Sequence, residues 1–136
     1  RDRVETQLLV GALGVAVVAR IAKVAAHALG NAFDCSIVEA HHNQKKDAPS
    51  GTALRIARAV REAGAKLPDD QILAMRGGDV VGEHTLRFAG TGEYIEITHR
   101  ATTRDLFARG ALHAAHWLAR QTAGWYTIED TIEIPA

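Results

Sequence analysis

Apolar residues crowd the start of this chain and then settle into two distinct periods. From residue 8 to residue 29 almost every position is apolar, which predicts a buried helix ending at Gly30-Asn31. Phe33-Asp34-Cys35-Ser36-Ile37-Val38 then alternates apolar with small polar residues and predicts a strand over 33–38. Leu54, Ile56, Ala57, Val60 and Ala63 recur at helical spacing, so a helix is expected over 52–63, capped by Ser50 or Thr52. A loop over 64–70 carries Pro68 and two acids. Three strands follow at 71–76, 80–88 and 93–99, the last two joined through Ala89-Gly90-Thr91-Gly92, a hairpin connection. A long helix begins at Thr102 or Thr103 and runs to 121. Gly124 breaks it, and 125–134 reads as an extended tail with a short strand.

Strands grouped together with helices around them indicate an α+β fold, in one domain over 1–136. The later strands place apolar residues at Val81, Ile95 and Ile97, where an exposed face would carry polar ones. A sheet from another subunit is expected to cover that face.

Composition narrows the function classes. Sixteen basic residues balance sixteen acidic ones, so no global field draws the chain to nucleic acid or anionic membrane. Aromatics are only 5% and are not interleaved with Lys or Arg, which excludes a base-stacking surface. The single cysteine, Cys35, has no internal disulfide partner and sits in an apolar run, pointing to an inert buried thiol and a cytoplasmic protein. The apolar run over 8–22 holds two glycines, meets Arg20 and Lys23, and falls short of the ~20 residues that span a bilayer. It reads as a core helix and not as a membrane anchor or signal peptide.

The chemistry concentrates in Glu39-Ala40-His41-His42-Asn43-Gln44-Lys45-Lys46-Asp47-Ala48-Pro49-Ser50-Gly51-Thr52. Adjacent histidines at a strand end project in different directions, so one can face a ligand while the other supports it. Histidine titrates near neutral pH and suits proton transfer. Lys45, four residues after His41, supplies a fixed positive charge on the same side of a turn. Pro49-Ser50-Gly51-Thr52 bends the chain into a helix start, where free backbone N–H groups and the Thr52 hydroxyl receive a carboxylate or phosphate. The segment therefore reads as an acid/base site for a small dicarboxylate. An isolated His pair would more often be two surface histidines before a capped turn; the added Lys, Asp and helix entry favour the functional reading.

Metal binding is the chemical rival, and none is expected. His41 and His42 are adjacent, a poor spacing for one zinc, and no cysteine pair or H-x-x-x-H is present. His84 and His99, on predicted strands, read as core or interface histidines. His113 and His116, three apart on the last helix, read as partly exposed polar residues.

At these residues the sequence resembles the C-terminal, substrate-binding and tetramerisation domain of 4-hydroxy-tetrahydrodipicolinate reductase, an enzyme of bacterial lysine and diaminopimelate synthesis. The likeness continues in Arg76-Gly77-Gly78-Asp79-Val80-Val81-Gly82-Glu83-His84-Thr85, in Glu96-Ile97-Thr98-His99-Arg100-Ala101 and in Phe107-Ala108-Arg109-Gly110-Ala111, and spans about residue 14 to the C-terminus. It implies that His41 donates and accepts a proton, that Lys45 is a second proton donor, and that His42, Gly51 and Thr52 bind substrate carboxylates. It also implies a mixed sheet of about four strands with helices on one face, pairing between subunits into a homotetramer. The family's reductant is NAD(P)H.

Two departures qualify the resemblance. The family begins with a nucleotide-binding domain bearing a glycine-rich strand-to-helix turn. Here Gly11-Ala12-Leu13-Gly14 falls inside a helical pattern, and 1–13 reads as a divergent segment. The family's polar Asn-x-Ser loop corresponds to Val10 and Ala12, both apolar. The expectation is a chain that binds a dicarboxylate such as pyridine-2,6-dicarboxylate and does not bind NAD(P)H by itself. The alternative is a structural homo-oligomeric domain with a relic site.

Overall fold

The computed structural model describes residues 8–9 and 12–133. Its elements are β1 (Leu8–Leu9), α1 (Leu13–Leu29), β2 (Asp34–His41), α2 (Gly51–Glu62), β3 (Ile72–Arg76), β4 (Gly82–Ala89), β5 (Tyr94–Ala101), α3 (Asp105–Leu118) and β6 (Tyr126–Thr127). They divide into two compact units, one over 18–102 and one comprising the chain before residue 18 and from 103 onward.

The first unit is a four-stranded mixed sheet in the order β3-β2-β4-β5. β2 pairs parallel with β3 across the α2 crossover, while β4 lies antiparallel to both β2 and β5. Because side chains alternate across a strand, Cys35, Ile37, Glu39 and His41 share one face of β2. Gly82, His84, Leu86 and Phe88 share the same face of β4. Val18, Ala22 and Ala26 of α1 pack there with Ala53, Ile56, Ala57 and Val60 of α2, making one core with Ile37, Ile72, Leu86 and Phe88. Helices on one face of a mixed sheet is the α+β arrangement the sequence suggests. Each fully buried Ile, Leu or Phe in this layer contributes about 1.5–3 kcal/mol. Burial also pushes the Cys35 thiol up to about 11, against the opposing charge of Arg61, so it stays protonated and unreactive at neutral pH.

The opposite face of the sheet is open. Val38, Leu73 and Met75 are 39%, 56% and 59% exposed there, with Val38 opposite Leu73 and Met75 opposite Ala40. Toward β5 the same face turns polar. Thr85 bonds Thr98 at 2.9 Å, Arg87 pairs with Glu96, and Arg100 approaches Glu83 at 3.3 Å. Ile95 and Ile97 do not lie on this face. They stand opposite Phe88 and Leu86, and Ile97 packs against the core. Strict alternation from those core partners sets their side, so the open apolar surface belongs to β2 and β3 instead.

The helix expected from residue 8 starts at Leu13, and Leu8–Leu9 instead form a short parallel pairing with Tyr126–Thr127. An all-round apolar run has no period to mark its first turn, and the partner strand lies at the far end of the chain. The pattern Gly11 to Gly14 thus follows a strand after all, with residues 10 and 11 outside those described. Val10 of the apolar pair falls there too, while Ala12 is buried. With its terminal turn the helical stretch Leu13–Ala32 is 20 residues long and apolar enough to cross a membrane by length and composition, longer than the apolar run over 8–22 indicates. Its positions Val15, Ala16, Val18, Ala19, Ala22 and Ala26 are nonetheless buried in protein, as a core helix requires. Gly30, at φ 61°, adopts the left-handed conformation that turns the chain out of the helix.

In the second unit Ala16, Ala114, Ile128 and Ile132 form a small core. The last helix starts at Asp105 and ends at Leu118, inside the expected span from Thr102 or Thr103 to 121; Thr103 Oγ1 accepts from the Asp105 N–H at 3.3 Å just before it. His113 Nε2 lies 3.1 Å from Thr131 Oγ1, so it is a structural partner within this unit.

Candidate functional site

β2 runs three residues further than the alternation of 33–38 indicates, and this extension carries the histidine motif onto the sheet. His41 is its last residue and points inward; His42 lies just past the strand, where its Nδ1 accepts from the Gln44 N–H at 3.3 Å. The neighbouring histidines thus take separate directions, as expected. Ser50 caps α2 by accepting from the Ala53 N–H at 3.1 Å. Gly51 and Thr52 open the helix, and first-turn N–H groups have no intrahelical acceptor. Lys45 stands in the loop between His42 and Ser50, its Nζ 3.0 Å from Asp47 Oδ1. That contact, the largest cause, holds the Asp47 carboxyl below its ordinary value. The Ala48–Pro49 peptide is cis. His41, His42, Lys45, Gly51 and Thr52 therefore all belong to one β2–α2 connection at the end of the central strand.

Beneath this loop lies a buried polar network that joins His41, Ser50 and the core histidine His84 to Glu39 and Arg76, two residues with no expected role. Glu39 is fully buried (0% exposed), His41 9% and His84 4%. Glu39 Oε1 pairs with Arg76 Nη1, and Oε2 accepts from the Ser50 N–H at 3.3 Å. The same Oε2 lies 2.8 Å from His41 Nδ1, yet the ring is turned so that its N–H does not line up with it. That contact is therefore Coulombic, not an aligned hydrogen bond. Ser50 Oγ meets His84 Nε2 at 2.8 Å, and the His41 and His84 rings stand edge to face at 5.1 Å. Arg76 also donates to the carbonyls of Lys45 (3.2 Å), Asp47 (2.7 Å) and Met75 (2.8 Å). One guanidinium thus fastens the lysine loop to the sheet.

Burial by itself would raise the Glu39 carboxyl, but the Arg76 guanidinium, Ser50 and His41 together hold it below its ordinary value. For His41 burial wins: it lowers the imidazole, Glu39 opposes, and the charges of Lys45 and Arg76 lower it further. Burial, then His41, brings His84 down to about 4, so His84 is neutral at physiological pH. Burial also lowers His99. The arrangement is a neutral inward imidazole beside a fixed carboxylate, next to a lysine and a helix start. It can exchange a proton with an anionic ligand.

Glu39, His41 and His84 bring three donor atoms within 4.8 Å of one another. Arg76 already neutralises Glu39 through Oε1 and the Ser50 N–H bonds Oε2, so a cation there would compete with both. One signal in the sequence pointed at this network. Cys35, Ile37, Glu39 and His41 share a period of two, which places an acid at an inward position. Arg76 and His84 become its neighbours only through the strand register.

Residues 14–132 match the family described as "Dihydrodipicolinate reductase, C-terminus". The chain belongs to that family. It is 46% identical over 138 residues to 4-hydroxy-tetrahydrodipicolinate reductase of Syntrophotalea carbinolica, covering 88% of this chain and 52% of the relative. The reductase of Stenotrophomonas maltophilia is 50% identical over 121 residues, covering 89% and 49%. The chain thus spans about half the length of the curated relatives it matches. A solved structure titled as dipicolinate-bound dihydrodipicolinate reductase from Paenisporosarcina sp. TG-14 shares the fold, with a TM-score of 0.75 at 22% identity, covering 93% of this chain and 54% of that one.

Proposed function

We propose that this chain is the substrate-binding half of a 4-hydroxy-tetrahydrodipicolinate reductase and that its β2–α2 connection holds a small dicarboxylate. His41 acts as proton donor and acceptor and Lys45 as a second proton donor. His42, Gly51 and Thr52 receive the ligand's carboxylates. The observation that carries the reading is the meeting of a buried imidazole, a lysine and a helix start within the 12 residues from His41 to Thr52. A relative whose title records bound dipicolinate supports the ligand class.

The reaction needs a hydride from NAD(P)H, the reductant of the named enzyme. The G-x-G-x-x-G pattern that cradles a dinucleotide does not occur in this sequence. The reading therefore gives this chain binding and proton transfer. A cytoplasmic location accords with the protonated, buried Cys35 thiol.

The open face of the sheet supports assembly, with Val38, Leu73 and Met75 against the same residues of a second copy in a homotetramer. Two measurements test the whole. Pyridine-2,6-dicarboxylate should shift the amide resonances of 41–52 and leave those of Tyr94–Ala101 in place; shifts confined to other segments would remove the binding reading. Light scattering should give four copies, and a monomer at micromolar concentration would remove the assembly.

A further inference from the structure

The deepest unexplained feature of the site is a carboxylate with no exposure at all. Glu39 cannot touch a ligand, because Ser50, His41 and Arg76 already surround both its oxygens. We propose that Glu39 is a positioning residue: locked as an anion by Arg76, it keeps the proton of neutral His41 on Nδ1 and leaves Nε2 as the free basic nitrogen, facing the space beside Gly82. This deepens the reading of His41 as the proton-transferring group and rests on it.

His41 Nδ1 lies 2.8 Å from Glu39 Oε2. An unprotonated, electron-rich Nδ1 that close to a carboxylate oxygen is repelled even with the ring turned off line. A proton there is attracted even without alignment. The neutral ring therefore carries its hydrogen on Nδ1. On the other side of the ring lies Gly82: a Cβ there would stand 3.1 Å from Nε2 and 3.4 Å from Cδ2. Only a residue without a side chain leaves the basic nitrogen unobstructed. Arg76 completes the device by keeping Glu39 ionised in a place where burial opposes ionisation.

The groups around His41 are Glu39 on its own strand, Arg76 from β3, His84 from β4 and Lys45 from the loop. His99 of β5 acts on His84, and Asp47 is paired with Lys45. Among these Glu39 alone raises the imidazole against burial, Lys45 and Arg76. Removing its charge leaves only influences that disfavour the protonated ring. A residue with a merely structural role would alter stability without moving either the tautomer or the titration.

Long-range nitrogen–proton correlation spectra of the full chain read both directly, with no ligand present. In the wild type His41 is expected as the Nδ1–H tautomer above its midpoint. In Glu39→Gln the midpoint moves to lower pH and the two tautomers mix; Glu39→Asp recovers part of both. A wild-type ring with its proton on Nε2 overturns the proposal whether or not any variant folds. So does an unchanged tautomer and midpoint in folded Glu39→Gln. If Glu39→Gln does not fold, the wild-type tautomer and Glu39→Asp decide. Calorimetry with pyridine-2,6-dicarboxylate on the same samples separates the two levels. The expected tautomer together with no binding would remove the dicarboxylate reading and leave the positioning of His41 standing.

Discussion

Replacing Arg76 by methionine should destabilise the chain far more than a surface arginine would. The substitution keeps most of the stem and removes the guanidinium that pairs with Glu39 and fastens the carbonyls of Lys45, Asp47 and Met75. The carbonyls can return to water at little cost. Glu39 cannot, because it is fully buried and would keep only the Ser50 N–H at 3.3 Å and the neighbouring imidazole. Breaking a buried pair from one side costs about 3–5 kcal/mol. Against a slope of about 2 kcal/mol/M, that is roughly a 2 M fall in the urea midpoint at pH 7. The pH dependence follows from the carboxyl. In the wild type Glu39 lies below its ordinary value, so its stabilisation is present above about 4.5 and fades as pH falls through the folded value. In Arg76→Met burial acts unopposed by the guanidinium and raises the carboxyl, so the variant loses most at neutral pH and the gap narrows on acidification. The double variant Arg76→Met/Glu39→Gln, which leaves no buried charge, should be more stable than Arg76→Met alone. Urea unfolding at pH 7 and pH 5 measures all of this. A cost under about 1 kcal/mol for Arg76→Met, or strict additivity in the double variant, would refute the assignment of a buried ion pair.

Other consequences are equally open to measurement. Gly82→Ala places a Cβ 3.1 Å from His41 Nε2, so the ring must give way by a few tenths of an ångström; dicarboxylate affinity should fall while the thermal midpoint changes little, and unchanged affinity would contradict this packing. His84 descends from 6.5 to about 4, so its neutral, buried state stabilises the fold fully above 6.5 and is lost as pH falls toward 4, a change of roughly 3 kcal/mol. His84→Asn should flatten the acid limb of the stability curve, and an identical limb in both proteins would show that another group drives it. Met75→Lys and Leu73→Lys, at exposed positions of the open face, should lower the assembly state in light scattering without unfolding the chain. Ser50→Ala removes both the cap on the Ala53 N–H and the partner of His84, so a cost near 1–2 kcal/mol in urea is expected.

Much of this architecture is legible in local pattern because β4 and β5 alternate cleanly and α2 carries a strong helical stripe with a serine cap. The closeness of the candidate site residues is legible for a similar reason: His41, His42, Lys45, Gly51 and Thr52 lie in one continuous segment, so no long-range pairing is needed to bring them together. What local pattern does not carry is register. Glu39 meets Arg76 and His84 only because β2 is flanked by β3 on one side and β4 on the other, 37 and 45 residues away in sequence. The start of α1 and the pairing of Leu8–Leu9 with Tyr126–Thr127 were hidden likewise, since a uniformly apolar run offers no period and its partner is at the opposite end of the chain. The side on which Ile95 and Ile97 lie also depends on register, through Phe88 and Leu86.

On the proposed function, the connection from His41 to Thr52 holds a dicarboxylate. Isothermal titration of pyridine-2,6-dicarboxylate into the wild type and Lys45→Ala tests it most directly. Saturable binding of one ligand per chain, weakened about tenfold or more by Lys45→Ala, is the predicted result. Absence of binding at millimolar ligand, or equal affinity in the two proteins, would contradict it.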